Sequence, residues 1–238
     1  FAPPPFTYNA GIPIGEGSFG MVYYGSLTQS GKPICVKICK NRKSNTIERE
    51  FDLLAKLRGK NSIIQTLGFY TNSSLRCIVL ELAEGSVEST FSLPRHSSGL
   101  PMNIMQRLVG DLGRALNVLV KEKIAHRDIK PMNILYFKET GESGFSGRFL
   151  FKLCDFGGGR FVVSKSESFQ TVVGTVPYMA PQELARYLKS EDRLTMNAEK
   201  TDLWSLGVTL FRCCTSKLPF DAPSAQRQLR IIQNRPEN

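Results

Sequence analysis

The feature that most constrains this chain is the order of four short strings. Gly15-Glu-Gly-Ser-Phe-Gly20 comes first, then Lys37 inside Pro33-Ile-Cys-Val-Lys-Ile-Cys39, then His126-Arg-Asp-Ile-Lys-Pro-Met-Asn133, then Asp155-Phe-Gly157. Each alone is compatible with a turn. The glycine string also occurs where dinucleotide-binding folds pass from strand to helix, and in ordinary glycine-rich turns. Here Met21, Val22, Tyr23 and Tyr24 alternate as a strand, Thr28-Gln-Ser-Gly31 marks a turn, and a second strand follows. The glycines therefore belong to a hairpin tip, where missing Cβ atoms let backbone lie over phosphates.

Lys37 sits on a half-buried strand and needs an anionic partner. Ile47, Phe51, Leu54 and Leu57 line one face of a helix, which Asn45 is placed to cap with Glu48 three residues on. Glu50 lies three positions from Ile47 and four from Leu54, so its carboxylate projects from that apolar face, and a Lys37–Glu50 pair is expected. In the third string Asp128 is suited to accept a hydroxyl proton, Lys130 to neutralise a transferring phosphoryl group and Asn133 to ligate Mg²⁺. Asp155 adds a second metal carboxylate with a glycine hinge behind it. All of these in one order are very hard to obtain by chance.

From Tyr8 to about Leu82 the chain reads as strands with one helix, the later strands being Gln65–Tyr70 and Arg76–Leu82. Glu84–Leu100, with Gly, Ser and Pro, reads as a linker. Beyond it Leu108, Leu112, Ala115 and Leu119 form a helical stripe, and Ile134–Phe137 with Phe149–Cys154 a short hairpin. An α+β fold is expected, with a small β-rich lobe (1–84), a larger helical lobe (85–238) and a cleft between them.

With 41% hydrophobic and 22% charged residues in 238, disordered, collagenous and coiled-coil classes are excluded. No run approaches the ~18 to 20 apolar residues of a membrane span. Phe1–Ala10 carries no basic region followed by an apolar one, and Phe1 in place of Met points to a soluble fragment cut at its N-terminus. The net charge of +10 is scattered, in clusters no longer than Arg42-Lys43 or Lys121 to Lys123, so no nucleic-acid partner is expected. An acidic or phosphorylated partner, or a merely solvated surface, fits the balance equally well. The six cysteines (Cys35, Cys39, Cys77, Cys154, Cys213 and Cys214) form no C-x-x-C pair, and His96 and His126 are the only histidines. No zinc site is expected, and the thiols read as reduced and buried in a cytosolic or nuclear protein.

From Ile14 to its end the chain resembles a eukaryotic protein kinase domain, a bilobal fold. Within that family it more closely resembles the non-classical IκB kinases, the TANK-binding-kinase-like group. The strings that carry this are Arg49-Glu-Phe-Asp-Leu-Leu-Ala-Lys-Leu57, Gly99-Leu-Pro101, His126–Asn133, Gly141-Glu-Ser-Gly144 before Phe151-Lys-Leu153, and Asp202-Leu-Trp-Ser-Leu-Gly-Val-Thr209 with Leu218-Pro-Phe220. The resemblance implies ATP and Mg²⁺ as cofactors. It implies Lys37 on the α- and β-phosphates, paired with Glu50 and covered by Gly15, Gly17 and Gly20. Ile14, Val22, Cys35 and Leu135 would sandwich adenine, with Leu80 as gatekeeper and Glu81, Leu82 and Ala83 as hinge backbone. Asp128 would be the catalytic base, and Asn133 and Asp155 the metal ligands.

Lys130 and Thr175, in Gly174-Thr-Val-Pro-Tyr178, match the serine/threonine pattern rather than the tyrosine one. Thr171 stands where this group carries its activating phosphosite, with Ser164, Ser166 and Ser168 nearby and Arg127 as the cation to receive a phosphate. A Ser/Thr-rich loop without switching is the alternative. Two departures stand out. The usual A-P-E is Ala180-Pro-Gln-Glu183, and Ala83-Glu-Gly-Ser86 is one residue shorter than in close relatives. The last helices of the lobe, one of which usually supplies an arginine to that glutamate, are expected to be missing after Asn238. The ubiquitin-like and coiled-coil regions are absent too, so adaptor and dimer partners are expected through regions outside this chain. The leading expectation is a cytoplasmic serine/threonine kinase in innate-immune or stress signalling, acting on serines followed by an apolar residue. A pseudokinase or interaction module, a small-molecule phosphotransferase (against which Lys130 and Gly174–Glu183 argue) and a nucleic-acid-binding module are the alternatives.

Overall fold

Five antiparallel strands, β1 (Phe6–Gly17), β2 (Gly20–Leu27), β3 (Pro33–Cys39), β4 (Thr66–Thr71) and β5 (Arg76–Glu81), form a sheet in the order β1-β2-β3-β5-β4. A computed structural model of the chain describes residues 5–17, 20–39, 45–72, 75–93, 98–141, 144–162, 173–188 and 197–234. Alternation on β3 decides which side is which: Ile34 and Val36 are fully buried in a cluster with Phe6, Cys77 and Val79. Lys37 is their neighbour on the opposite face of the strand.

That opposite face meets α1 (Thr46–Lys56), which buries Ile47, Glu50, Leu53 and Leu54. Leu53 is fully buried where the expected stripe had Phe51, which is only partly covered. Asn45 holds the cap position but its side chain makes no capping hydrogen bond, and Glu48 is instead ion-paired with Arg76 of β5. Gln65 lies outside β4; its side chain is engaged at the preceding turn, accepting from Gly59 N at 2.7 Å and donating to Ile63 O at 2.8 Å.

The segment expected as a linker is partly structured. It holds β6 (Gly85–Ser86) and α2 (Val87–Thr90), because Ser86 Oγ accepts from Ser89 N and Val87 enters the core at 1% exposure. The stripe Leu108, Leu112, Ala115 and Leu119 is buried on α3 (Met102–Glu122) as its period predicts. β7 (Ile124–Ala125) follows. The hairpin is longer than predicted, β8 (Ile134–Gly141) against β9 (Gly144–Leu153), with a register irregularity between Lys138 and Thr140 that interrupts the alternation. Its order is β6-β8-β9, and β7 pairs separately with β10 (Arg160–Phe161). Three helices close the described chain: α4 (Pro181–Tyr187), α5 (Ala198–Thr215) and α6 (Ala225–Gln233).

The chain is thus α+β, a β-sheet lobe followed by a helical one. A single hydrophobic cluster joins Leu53, Leu54 and Leu57 of the first to Leu108, Leu112 and Phe156 of the second. All six cysteines are free. Cys39, Cys77 and Cys213 are buried, Cys35 and Cys154 are partly covered, and Cys214 is exposed on α5, contrary to the expectation of buried thiols. Among the described residues no helix is long and apolar enough to cross a membrane.

Candidate active site

β3 delivers Lys37 and α1 delivers Glu50 to one buried point. Lys37 Nζ lies 2.7 and 2.8 Å from the two Glu50 oxygens and 2.6 Å from Asp155 Oδ1. Lys37 is 4% exposed and Glu50 2%. Desolvation works against the Lys37 charge, but the Glu50 and Asp155 carboxylates outweigh it and hold the ammonium above its usual range. Burial pushes the Asp155 carboxyl up, and Lys37, His126 and the Gly157 N–H together carry it below the ordinary carboxylate value.

The glycine hairpin tip forms as expected: Gly15 pairs with Val22, and Gly17 with Gly20. A Cβ on Gly20 would meet Ile38 O at 2.6 Å, so this glycine is also required by strand-to-strand approach. Ser18 and Phe19 lie outside the described residues.

The loop after β7 is fixed by Asp202 of α5, whose two oxygens accept from His126 N and Arg127 N, each at 2.7 Å. Arg127 takes φ 70°, a left-handed conformation this clamp supports. Asp202 belonged to the quoted strings but sequence reasoning gave it no role, because nothing in a helical string shows an acid reaching another loop's backbone. His126 is fully buried, bonds Cys154 O at 2.9 Å and packs edge-on to Phe156 with ring centroids 4.7 Å apart. This seats the Asp155 turn against the loop.

Four expected residues converge beyond it. Asp128 Oδ1 accepts from Thr175 Oγ1 at 2.8 Å, and its Oδ2 accepts from Lys130 Nζ at 2.8 Å and from Asn133 Nδ2 at 3.1 Å. Lys130 Nζ also donates to Thr175 Oγ1 at 2.6 Å. Because the Asn133 amide nitrogen is committed to Asp128, the carboxamide oxygen is left for a cation. Asn133 O accepts from Cys154 N at 2.9 Å, which ties Asn133 to the strand end that carries Asp155. A carboxamide oxygen and a carboxylate suit Mg²⁺, a hard cation. Among the described residues no group of three or more His, Cys, Asp or Glu side chains is placed to hold a metal ion by itself.

On the expected adenine side, Ile14 is 52% exposed, while Val22, Cys35 and Leu135 are partly buried. Cys35 and Leu80 stand opposite each other across β3 and β5, and burial pushes the Cys35 thiol up to about 11. Glu81 N donates to Gln65 O at 3.1 Å, and its carboxylate takes Lys152 Nζ at 2.7 and 2.9 Å, so the strand end leading to Leu82 and Ala83 is tied to β9.

Thr171 and the three nearby serines lie outside the described residues. Arg127, expected as an available cation, is 4% exposed. Burial and then the neighbouring Arg160 lower its guanidinium to about 10, with Arg186 adding to this and Glu183 and Asp202 opposing it. Glu183 is 5% exposed, accepts from Ala180 N at 3.2 Å, and is in no ion pair among the described residues.

Comparison with known proteins identifies the family. The protein kinase domain matches residues 8–237. The chain is 35% identical over 227 residues, 87% of its length, to the inhibitor of nuclear factor kappa-B kinase epsilon subunit homolog 1 of Caenorhabditis elegans, and covers 28% of that protein. It is 32% identical over 94% of its length to the serine/threonine-protein kinase TIO of Arabidopsis thaliana, covering 16% of it. It is 30% identical over 93% of its length to the mouse inhibitor of nuclear factor kappa-B kinase subunit epsilon, covering 31% of it. The chain spans a third or less of the length of these relatives. Matched over nearly its whole length, it belongs to the protein kinase family.

Proposed function

We propose that the chain is the catalytic domain of an ATP- and Mg²⁺-dependent serine/threonine protein kinase related to the IκB kinases, with lobes at 1–84 and 85–238. The observation that carries this is the closed arrangement of Asp128, Lys130, Asn133 and Thr175 beside the buried Lys37–Glu50–Asp155 set.

In this reading Gly15, Gly17 and Gly20 lie over the phosphates and Lys37 binds the α- and β-phosphates, held in place by Glu50. Ile14, Val22, Cys35 and Leu135 enclose adenine beside Leu80, with Glu81, Leu82 and Ala83 as the hinge. Asn133 and Asp155 would hold Mg²⁺, which when bound neutralises phosphate charge. Asp128 accepts the proton as the acceptor hydroxyl oxygen bonds to the γ-phosphorus and the bond to ADP breaks. Lys130 holds charge near the transferring group, and Thr175 holds Asp128 and Lys130 in register. The protein substrate presents Ser or Thr; nucleic acid and membrane play no part, the domain works in the cytoplasm, and adaptor and dimer contacts are made by regions outside it.

Support for the serine/threonine assignment is the Lys130–Thr175 bond, which leaves the acceptor side built around a short hydroxyl. The test is ATP-dependent labelling of matched serine and tyrosine peptides: transfer to serine alone is expected, and equal or preferential tyrosine transfer would overturn the assignment. We also propose that phosphorylation of Thr171 raises activity. A Thr171→Ala protein as active as the parent would refute that switch.

A further inference from the structure

A second concavity lies in the helical lobe, apart from the Lys37–Asp128 site. It has a volume of about 360 Å³. Val87 and Leu93 form one wall, Ile104 of α3 another, and Tyr136, Phe149 and Phe151 of the hairpin the third. That is within the size range of small-molecule sites, and the lining is almost entirely apolar.

Three observations restrict the occupant. None of the residues that line the concavity carries a formal charge. A charged ligand would therefore find no counter-ion among them. The walls come from three separate stretches of the chain around about 360 Å³, a cup with room for one compact group. Strand addition at the β9 edge is also opposed, since Asp111 of α3 already accepts from Phe151 N at 2.9 Å. The few polar side chains match a neutral ligand with one hydrogen-bonding group: Thr90 already donates to Val87 O at 2.7 Å, leaving Asn103 at the mouth and Tyr136.

The cup is joined to the cleft by a single strand. Tyr136 faces the cup, and its neighbour Leu135 points to the opposite face of β8. Tyr136 also pairs with Gly85, and its carbonyl accepts from Glu84 N at 3.1 Å, immediately after Glu81–Ala83. We infer that this cup is a binding site for an uncharged, compact aromatic or aliphatic small molecule, coupled through β8 to the nucleotide site. The coupling rests on the proposed kinase function; the binding does not.

The experiment titrates N-phenyl-1-naphthylamine, a neutral fluorophore that brightens in apolar sites, into the protein with and without ATP and Mg²⁺. Saturable 1:1 binding is expected. Leu93 is 38% exposed at the rim, so Leu93→Trp should fill the cup without disturbing the core, weakening the probe at least about tenfold with an unchanged thermal midpoint. Ile104→Phe, from the opposite wall and packed against the core, should weaken the probe as well. Met102→Ala, on the same turn but 73% exposed and outside the lining, should leave binding unchanged. Linear, non-saturating fluorescence, or saturation equal in both filling variants, would overturn the site. ATP should shift the probe's affinity by the same factor, at least about threefold, by which the probe shifts that of ATP. ATP that binds with no reciprocal shift overturns the coupling. Failure of ATP to bind while the probe still saturates would instead count against the kinase reading alone.

Discussion

Lys37 Nζ lies 2.7 Å from Glu50 Oε1 and 2.6 Å from Asp155 Oδ1, so one buried ammonium joins the third strand, the first helix and the turn after β9. The buried Lys37–Glu50 pair and the partly buried Asp155 form a set whose members depend on one another. Its geometry is both a stability feature and the arrangement a phosphate-binding lysine requires.

Lys37→Met leaves Glu50 and Asp155 facing each other without their cation. Unfolding free energy should fall by about 3 kcal/mol, the range seen when one partner of a buried pair is lost. Adding Glu50→Leu should recover more than half of that, because an apolar group replaces the orphaned carboxylate. Urea unfolding of the parent, the single variant and the double variant checks this; a double variant less stable than the single one contradicts it.

Thr175 acts as a positioning residue through its hydroxyl, which donates to Asp128 and accepts from Lys130. Thr175→Val should lower kcat about tenfold to a hundredfold with little change in KM for ATP, while Thr175→Ser should restore most of it. Equal losses in both variants would point to packing rather than the hydroxyl.

Glu183 gives a pH prediction. Burial is the main cause that raises its carboxyl to about 7, with Asp202 adding to it and the Ala180 N–H and Arg127 opposing. The folded form therefore binds a proton more tightly than the unfolded chain, whose glutamate titrates near its ordinary value of 4.5. This group's contribution is present below that value and is lost as pH rises through about 7, so stability falls across that window. Glu183→Gln should remove this fall, gaining about 2 kcal/mol relative to the parent between pH 5.5 and 8. Parallel unfolding curves for the two proteins across that range would contradict the assignment.

Gly20→Ala should destabilise by about 2 kcal/mol, since its Cβ would press on Ile38 O and force β2 from β3. Gly15→Ala, with only an ordinary 3.8 Å contact to Val22 Cβ, should be nearly neutral to stability, and thermal melts distinguish the two.

Much of this architecture is legible in the chain because the deciding residues are close in sequence. The Leu108–Leu119 stripe and the placement of Glu50 on an apolar helix face follow from local periods alone. What escaped depends on contacts distant along the chain. Asp202 reaches His126 across 76 positions. Glu48 leaves its cap role for Arg76, and Val87 draws part of the supposed linker into the core because a cluster from both lobes awaits it. Spacing shows which face a side chain takes, but not which distant partner competes for it.

The most direct test of the central claim is phosphoryl transfer from ATP to a serine peptide by the parent and by Asp128→Asn. The substitution keeps the shape and an acceptor for Thr175 but removes the carboxylate that takes the proton. Transfer by the parent and a loss of at least about a hundredfold in the variant, with ATP affinity and thermal midpoint preserved, is the predicted result. A folded, ATP-binding parent that transfers nothing, or a variant as active as the parent, would contradict the account.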